Sequence, residues 1–181
     1  MIDPIEIIEQ YYPKSSDAHY ILLIHSEHVR DKALALAHRN PDLRLDTDFI
    51  SEAAMLHDIG IFMCDAPRIH CNGSHQYIEH GYLGADILRK NCVTARHSLV
   101  CERHTGVGLS KETIIKNNLP LPHRDMVPLL LEEKLICYAD KFFSKTLLKE
   151  THSLERIRRH LSHFGQSEVD TFNAFHALFE R

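Results

Sequence analysis

The sequence is poor in the features that mark several protein classes. It contains no tryptophan and only seven glycines and seven prolines among its 181 residues. No run of about 18 apolar residues occurs, so a membrane-spanning helix is not expected. Strict alternation of apolar and polar residues, which indicates a half-buried strand, is also missing. These absences favour a helical globular protein that has no membrane partner.

The cysteines do not follow a recognisable pairing pattern. There are five, an odd number, and no two of them have the Cys-x-x-Cys spacing of a redox or zinc motif. They are Cys64, Cys71, Cys92, Cys101 and Cys137. Unpaired thiols are typical of a reducing compartment. Because the N-terminal segment also carries Asp3 and Glu6 where a signal peptide carries basic residues, we expect a cytoplasmic protein.

The overall charge argues against a nucleic-acid partner. The formal net charge is -4 at pH 7, so no general basic field attracts nucleic acid or an anionic membrane surface. A small phosphorylated ligand would therefore have to be held by local cations, including metal ions.

Capping and helix-breaking residues divide the chain into helices. Aspartate and serine caps begin the first three predicted helices, and Asn40-Pro41 and Gly60 end the second and third. The caps are Asp3, Ser15 or Ser16, and Asp46 or Asp48. The helices are expected at about 4–12, 16–39, 49–59, 77–91, 94–104, 110–118, 127–148, 153–163 and 167–180. This order of helices without strands predicts an all-α, orthogonal helical bundle.

The length predicts a single domain over residues 1–181. Its core region runs from about residue 20 to 146, and the C-terminal helices of 150–181 pack on that core or extend it. These last helices are candidates for a lid or an oligomerisation element, so a homodimer is left open.

A His-Asp pair ends the third predicted helix. His57 and Asp58 follow an apolar stretch and precede Ile59-Gly60. Since the chain has 15 histidines, chance alone can produce such a pair. Only its sequence context can indicate whether the pair has a function. Burying a charged side chain costs free energy unless an opposite charge or a metal ion compensates it. An imidazole and a carboxylate side by side at the buried end of a helix therefore favour a metal site. The alternative is a capping aspartate beside a core histidine that is satisfied by hydrogen bonds.

Further segments place a potential metal ligand in apolar surroundings, and the ordered set resembles the HD-domain superfamily of metal-dependent phosphohydrolases. The local matches are His25-Ser26-x-x-Val29, Met55-Leu56-His57-Asp58-Ile59-Gly60 and Tyr138-Ala139-Asp140-Lys141. The resemblance covers about residues 20–146 and implies the family pattern H…HD…D on a helical bundle. Two more histidines mark the dinuclear members, in which the HD aspartate bridges two ions. By this resemblance one ion takes His25, His57, Asp58 and Asp140, and the second takes Asp58, His80 and His104.

The resemblance implies that metal-activated water cleaves a phosphoester, and that the ester belongs to a nucleotide. One or two divalent ions are expected as cofactors, drawn from Fe, Mn, Zn, Ni and Co. Two ions can clamp the attacking and leaving oxygens of an in-line displacement. The His-Thr-Gly and Ala-Asp-Lys sequences around His104 and Asp140 are similar to those of small HD hydrolases that cleave dinucleoside polyphosphates. The Gly-Tyr-Pro signature of the cyclic-dinucleotide branch is missing, so a substrate of that kind is not expected.

Catalysis is expected to depend on Asp58 and Lys141. Lys141 would contact the phosphate or hold Asp58, and Lys145 would share its helix face at i+4. The loop of residues 61–75 should cover the site. Further substrate contacts are expected from Arg68, His70, His75, Thr105 and Lys145. The alternative for each of these side chains is ordinary surface polarity.

Two other functions stay open at this point. The ligand pattern H…HD…H…H…D also occurs in superfamily members that use two iron ions to oxidise C–H bonds with O2. A regulator that binds metal and nucleotide without catalysis is the third hypothesis. Oxygen uptake with iron would favour the oxygenase, and phosphate release in anaerobic assays with Mn or Co would favour the hydrolase.

Overall fold

The computed structural model describes residues 2–91 and 94–181, which form a helical bundle. The helices in these ranges are α1 (Pro4–Ile8), α2 (Asp17–Arg39), α3 (Thr47–Leu56), α4 (His80–Lys90), α5 (Ala95–Arg103), α6 (Lys111–Lys116), α7 (Leu131–Asp140), α8 (Leu154–Ser162) and α9 (Gln166–Phe179). Strands β1 (Asp65–Ala66) and β2 (Cys71–Asn72) pair as a short antiparallel hairpin. The predicted all-α class is confirmed. None of the described helices is long and apolar enough to cross a membrane.

The predicted caps explain where helices α2 and α3 begin. The side chain of Ser16 accepts a hydrogen bond from the backbone N–H of His19 at 3.2 Å. The side chain of Asp46 accepts one from the N–H of Phe49 at 3.0 Å. These bonds satisfy N–H groups that have no partner within the first turn of a helix. Of the two pairs of candidates, Ser16 and Asp46 are therefore the caps.

The prediction of one long helix over 127–148 is wrong, because α7 is much shorter. After α7 the chain turns back on itself, and the backbone N–H of His152 donates to the carbonyl of Phe142 at 2.8 Å. Contacts between residues this far apart in sequence are not visible in local periodicity. As a consequence, Lys141 and Lys145 do not share a helix face.

Gly60 does not cap α3, because that helix ends before it. It lies instead in a 3-10 turn (Ile59–Met63) that is pressed against the start of α4. A Cβ atom at Gly60 would overlap the carbonyl oxygen of His80 and would lie 2.5 Å from the backbone nitrogen of Gly84. Glycine therefore permits the close approach that brings α4 next to Asp58.

The C-terminal helices contribute to the main hydrophobic core. Phe172 and Phe179 of α9 are fully buried, in one cluster with residues of α2, α3 and α7. The ring of Phe172 stacks on Tyr138 of α7 with 5.2 Å between the ring centroids. Helix α8 adds Ile157 and Leu161 to the same cluster. Helices α8 and α9 thus pack on the bundle through α7.

A second apolar cluster joins α1, α2, α4 and the turn after α3. It includes the fully buried residues Leu22, Leu88 and Ile59. Because α3 also contributes to the main core while Ile59 belongs to the second cluster, His57 and Asp58 lie where the two clusters meet. This position explains why both side chains of the pair are withdrawn from water.

Replacing Phe172 should destabilise the whole domain. We expect Phe172→Ala to lower the free energy of unfolding by about 3–5 kcal/mol, since it removes a fully buried ring and leaves a cavity. Phe164→Ala is the matched control, because the side chain of Phe164 is 69% exposed, and it should change that free energy by less than about 0.5 kcal/mol. Chemical denaturation followed by circular dichroism measures both. Equal losses would contradict the packing of α9 described above.

Candidate metal centre

Separate segments of the chain bring six potential metal ligands together. His25 lies in the middle of α2, His57 and Asp58 follow α3 directly, and Asp140 is the last residue of α7. His80 is the first residue of α4, and His104 follows α5. All six side chains are buried, and His25, His57 and Asp58 are completely so. The structure thus gathers the whole predicted ligand set, whose role as metal ligands stays a prediction.

A first group of ligand atoms surrounds one oxygen of Asp58. The Nε2 atoms of His25 and His57 each lie 3.1 Å from Asp58 Oδ2. They lie 3.0 and 3.5 Å from Asp140 Oδ1. One ligand atom from each of these four residues falls within 4.8 Å of the others, so a single ion could contact all four.

A second group faces the other oxygen of the same carboxylate. The Nε2 atoms of His80 and His104 each lie 3.3 Å from Asp58 Oδ1. The two Nε2 atoms are 3.0 Å apart. Asp58 therefore presents one oxygen to each group, which is the arrangement of a bridging carboxylate.

Backbone carbonyls orient three of the histidine rings in the same way. His57 Nδ1 lies 2.7 Å from the carbonyl oxygen of Ala54. The Nδ1 atoms of His80 and His104 lie 2.5 and 2.8 Å from the carbonyl oxygens of the residues three positions earlier. A carbonyl can only accept, so each Nδ1 must carry the hydrogen. The Nε2 atom of each ring is thereby directed inward as the ligand atom.

Several buried polar atoms of the centre have no suitable partner within the described part of the chain. His57 Nε2 and both carboxylate oxygens of Asp58 make no well-oriented hydrogen bond there. The neutral rings of His80 and His104 would point lone pairs at each other and at Asp58. Unsatisfied buried groups and facing lone pairs are unfavourable, and a divalent cation removes both problems. The mixed histidine and carboxylate donors fit a transition metal.

Two partly buried lysines balance the negative charge, but their partners differ from those expected. Lys145 Nζ lies 2.6 Å from Asp58 Oδ2. Lys141 Nζ lies 2.8 Å from Asp140 Oδ2 and 3.3 Å from the carbonyl oxygen of His104. Lys145, rather than Lys141, is thus the lysine that pairs with Asp58, which corrects the expectation that Lys141 holds this carboxylate.

The protonation states of the ligands follow from these contacts. Burial would raise the pKa of Asp58, but Lys145 and the surrounding histidines hold it well below its usual range. Burial lowers the pKa of His80 to about 3 and also lowers that of His104. For His57 the nearby carboxylates outweigh burial and raise the pKa to about 9. An anionic Asp58 and neutral His80 and His104 are the forms that metal binding requires.

Two of the cavities next to the centre are lined by most of the predicted substrate residues. A basic cavity of about 820 Å³ is lined by Arg68, His70 and Lys145, together with residues such as His28 and Lys149. The loop of residues 61–75 therefore forms part of this wall.

The second cavity measures about 510 Å³, and its lining includes Thr105, Lys141 and His80. We call it the apolar cavity, because most of its other lining residues are apolar. The predicted contact His75 lines neither cavity. Its ring lies 3.1 Å from Glu79 Oε1 instead.

Tyr77 is a site residue that the sequence did not single out. Its ring packs on that of His80 with 4.8 Å between the centroids, and its carbonyl is the one that accepts from His80. Lys145 Nζ lies 5.9 Å from the same ring. The spacing of three residues between Tyr77 and His80 was the available signal, since residues at i and i+3 meet on one helical face.

The comparison with protein families agrees with this geometry. The family model described as HD domain matches residues 22–144. The chain belongs to the HD-domain family. This membership confirms the resemblance that the ligand pattern indicated. It also supports metal-dependent hydrolysis in general terms.

Three relatives of this HD-domain protein come from archaea. An uncharacterized protein of Methanocaldococcus jannaschii is 36% identical over 139 residues, which cover 68% of this chain and 75% of that protein. A tRNA (cytidine(56)-2'-O)-methyltransferase of Picrophilus torridus is 35% identical over 72% of this chain and 34% of its own length. The enzyme of the same name from Thermoplasma volcanium is 32% identical over 68% and 32%. The chain thus spans about a third of each methyltransferase.

A solved structure shares the fold of this HD-domain protein. It is the HD domain of the L. monocytogenes phosphodiesterase PgpH in complex with cyclic-di-AMP. The TM-score is 0.53 at 15% identity, and the match covers 98% of this chain and 97% of that one. The helical architecture is therefore that of a known HD domain.

Substitution of the ligands should separate two metal sites. Asp58→Ala removes a ligand from both groups, so we expect both metal equivalents to be lost. His80→Ala and His104→Ala affect the second group alone and should each lose one equivalent while the other is kept. Metal content after reconstitution with Mn or Co is measured by inductively coupled plasma mass spectrometry.

His97→Ala is the control for these variants. His97 is also buried, but its ring lies 3.1 Å from Glu52 Oε2 and belongs to neither group. Its loss should leave the metal content unchanged. Unchanged metal in Asp58→Ala would disprove the centre, and loss of both ions or of neither in His80→Ala would disprove its division into two sites.

Proposed function

We propose that this HD-domain protein is a metal-dependent phosphohydrolase that cleaves a phosphoester of a nucleotide at a dinuclear site. The observation that carries the proposal is the buried carboxylate of Asp58, whose two oxygens face separate groups of ligands. Family membership supports the hydrolytic class. The nucleotide bound to the HD domain of PgpH supports the substrate class.

The predicted ligands would form two adjacent ion sites. His25, His57 and Asp140 would hold the first ion and His80 and His104 the second, with Asp58 shared. Divalent ions bound there would polarise the phosphoryl oxygens and lower the pKa of a water molecule that attacks phosphorus. The carbonyls behind the rings of His57, His80 and His104 hold the Nε2 atoms of these three residues in place, so these ligands need little rearrangement on binding.

Local cations would hold the phosphate in a chain that is negatively charged overall. Lys145 is partly buried beside Asp58 and also lines the basic cavity, so its ammonium group can reach a phosphoryl oxygen at the centre. Arg68 and His70 line the same cavity and would contact further oxygens of the ligand. Lys141 lies on the side of the apolar cavity and would keep Asp140 oriented.

The decisive experiment is a substrate screen with defined metals. Protein stripped with EDTA and reloaded with Mn or Co should release phosphate or a nucleotide from phosphomonoesters, cyclic nucleotides or dinucleoside polyphosphates under anaerobic conditions. Activity should vanish on stripping and return on reloading. Asp58→Asn, which keeps the size of the side chain, should be inactive.

Two outcomes would contradict hydrolysis. Oxygen uptake by the iron-loaded protein without any phosphate release would identify an oxygenase. Binding of metal and nucleotide with neither reaction would identify a regulator.

The two lysines offer a test of roles within the site. We expect Lys145→Ala to lower kcat by about 10- to 100-fold while both metals are retained, because a cation next to the phosphoryl group is lost. Lys141→Ala should also lower turnover, by less, since its partner is Asp140. Lys90→Ala is the control, because Lys90 is an exposed residue at the end of α4. Unaltered kinetics in Lys145→Ala would exclude this role.

A further inference from the structure

The apolar cavity is continuous with the metal centre. His80 and Lys141 line it, and both also contact ligand carboxylates of the centre. Thr105 lines it as well, directly after His104 in the sequence. A molecule bound in this cavity therefore ends at the position where the phosphoryl group would be held.

Away from the centre, much of the wall of the cavity is apolar and comes from elements that carry none of the predicted metal ligands, with Glu168 and His160 among the polar exceptions. Ile78, Val107 and Leu119 line it from the loops, and Leu161 and Phe164 line it from α8 and its C-terminal end. Phe164 is 69% exposed. The ring of Phe164 is therefore accessible to a ligand at the edge of the cavity. The cavity thus suits a ligand with an anionic end and an apolar body.

The remaining lining residues favour a planar, heteroaromatic body over an alkyl chain. Tyr77, His163 and Phe164 offer flat side chains on which a ring can stack. Asn117 and Thr113 add polar groups at the edge of the apolar walls, where the Asn117 amide donates to the carbonyl oxygen of Thr113 at 3.0 Å. The volume of about 510 Å³ is within the usual range for a small-molecule pocket.

We propose that the apolar cavity binds the nucleoside of the substrate, with its phosphate directed to the metal centre. This inference rests on the proposed function and adds the location of the nucleoside and the residues that select it. Phe164 and Tyr77 supply stacking surfaces, and Asn117 lies at the exposed edge of the cavity, where a larger side chain would narrow it. Lys141 and Thr105 lie where the nucleoside meets the phosphate.

The inference is tested without metal and without turnover. Adenosine, guanosine, cytidine and uridine lack a phosphate, so their binding to EDTA-treated protein reports on the cavity alone. Saturation-transfer NMR followed by isothermal titration calorimetry measures the affinities. We expect at least one nucleoside to bind, and Asn117→Trp to weaken its binding by about tenfold or more, since loss of a stacked base has effects of this size.

A neighbouring substitution provides the matched control. Lys116→Trp places the same indole one residue away, on an exposed position of α6 that does not line the cavity. It should change the affinity by less than about twofold.

Phe164→Ala is a second variant that does not fill the cavity, and we expect it to weaken binding by about fivefold. Leu129→Ala, at another exposed apolar position, is its control. Thermal unfolding verifies that each variant is folded.

The outcomes separate this inference from the proposed function. If no nucleoside binds the wild-type protein, or if Asn117→Trp and Phe164→Ala bind as tightly as their controls, the cavity assignment is wrong even when phosphoesters are hydrolysed. If Asn117→Trp does not fold, Phe164→Ala decides the question. If nucleoside binding is lost in the cavity variants but no ester is hydrolysed, the cavity assignment is supported and the proposed hydrolysis is contradicted.

Discussion

The structure depends on one constraint, the complete burial of the Asp58 carboxylate. A buried charge costs several kcal/mol unless other charges and hydrogen bonds compensate it. Compensation comes from Lys145 at 2.6 Å and from four histidine nitrogens at 3.1 to 3.3 Å. His57, whose pKa is raised to about 9, can itself carry a positive charge toward Asp58, but the neutral rings of His80 and His104 compensate a carboxylate only if a cation lies between them. The buried charge therefore calls for metal ions as well as for the lysine.

The backbone around Asp58 is arranged to keep this cluster rigid. The turn after α3 packs against α4 at Gly60, where any side chain would overlap the backbone of α4. The same contact fixes the position of His80, the first residue of that helix. His57, His80 and His104 each lie at a helix end and donate to the carbonyl three residues earlier. Repetition of one local geometry thus directs three rings toward a common carboxylate.

The sequence could predict the parts of the fold and site that depend on local chemistry. Ser16 and Asp46 act as caps because a cap needs only its own first turn. Ionisable residues in apolar surroundings indicated candidate ligands, and the resemblance to the HD-domain superfamily implied the complete predicted set. The end of α7 was not predictable, because it depends on the contact between Phe142 and His152 across the following loop. The pairing of Lys145 with Asp58 follows from that turn.

The residues that line the two cavities beside the centre also differ in how far local sequence could predict them. Arg68 and His70 could be inferred from their loop, whereas Phe164 lies in the turn after α8, which no motif connects with the ligands. Tyr77 lines the apolar cavity, Lys145 lines the basic one, and both line a third cavity of about 440 Å³. Each of the two also contacts a ligand of the proposed centre. A nucleoside in the apolar cavity and phosphate oxygens in the basic cavity would consequently each lie beside one of these two residues, so the choice of substrate and the geometry of the metal ligands are coupled there.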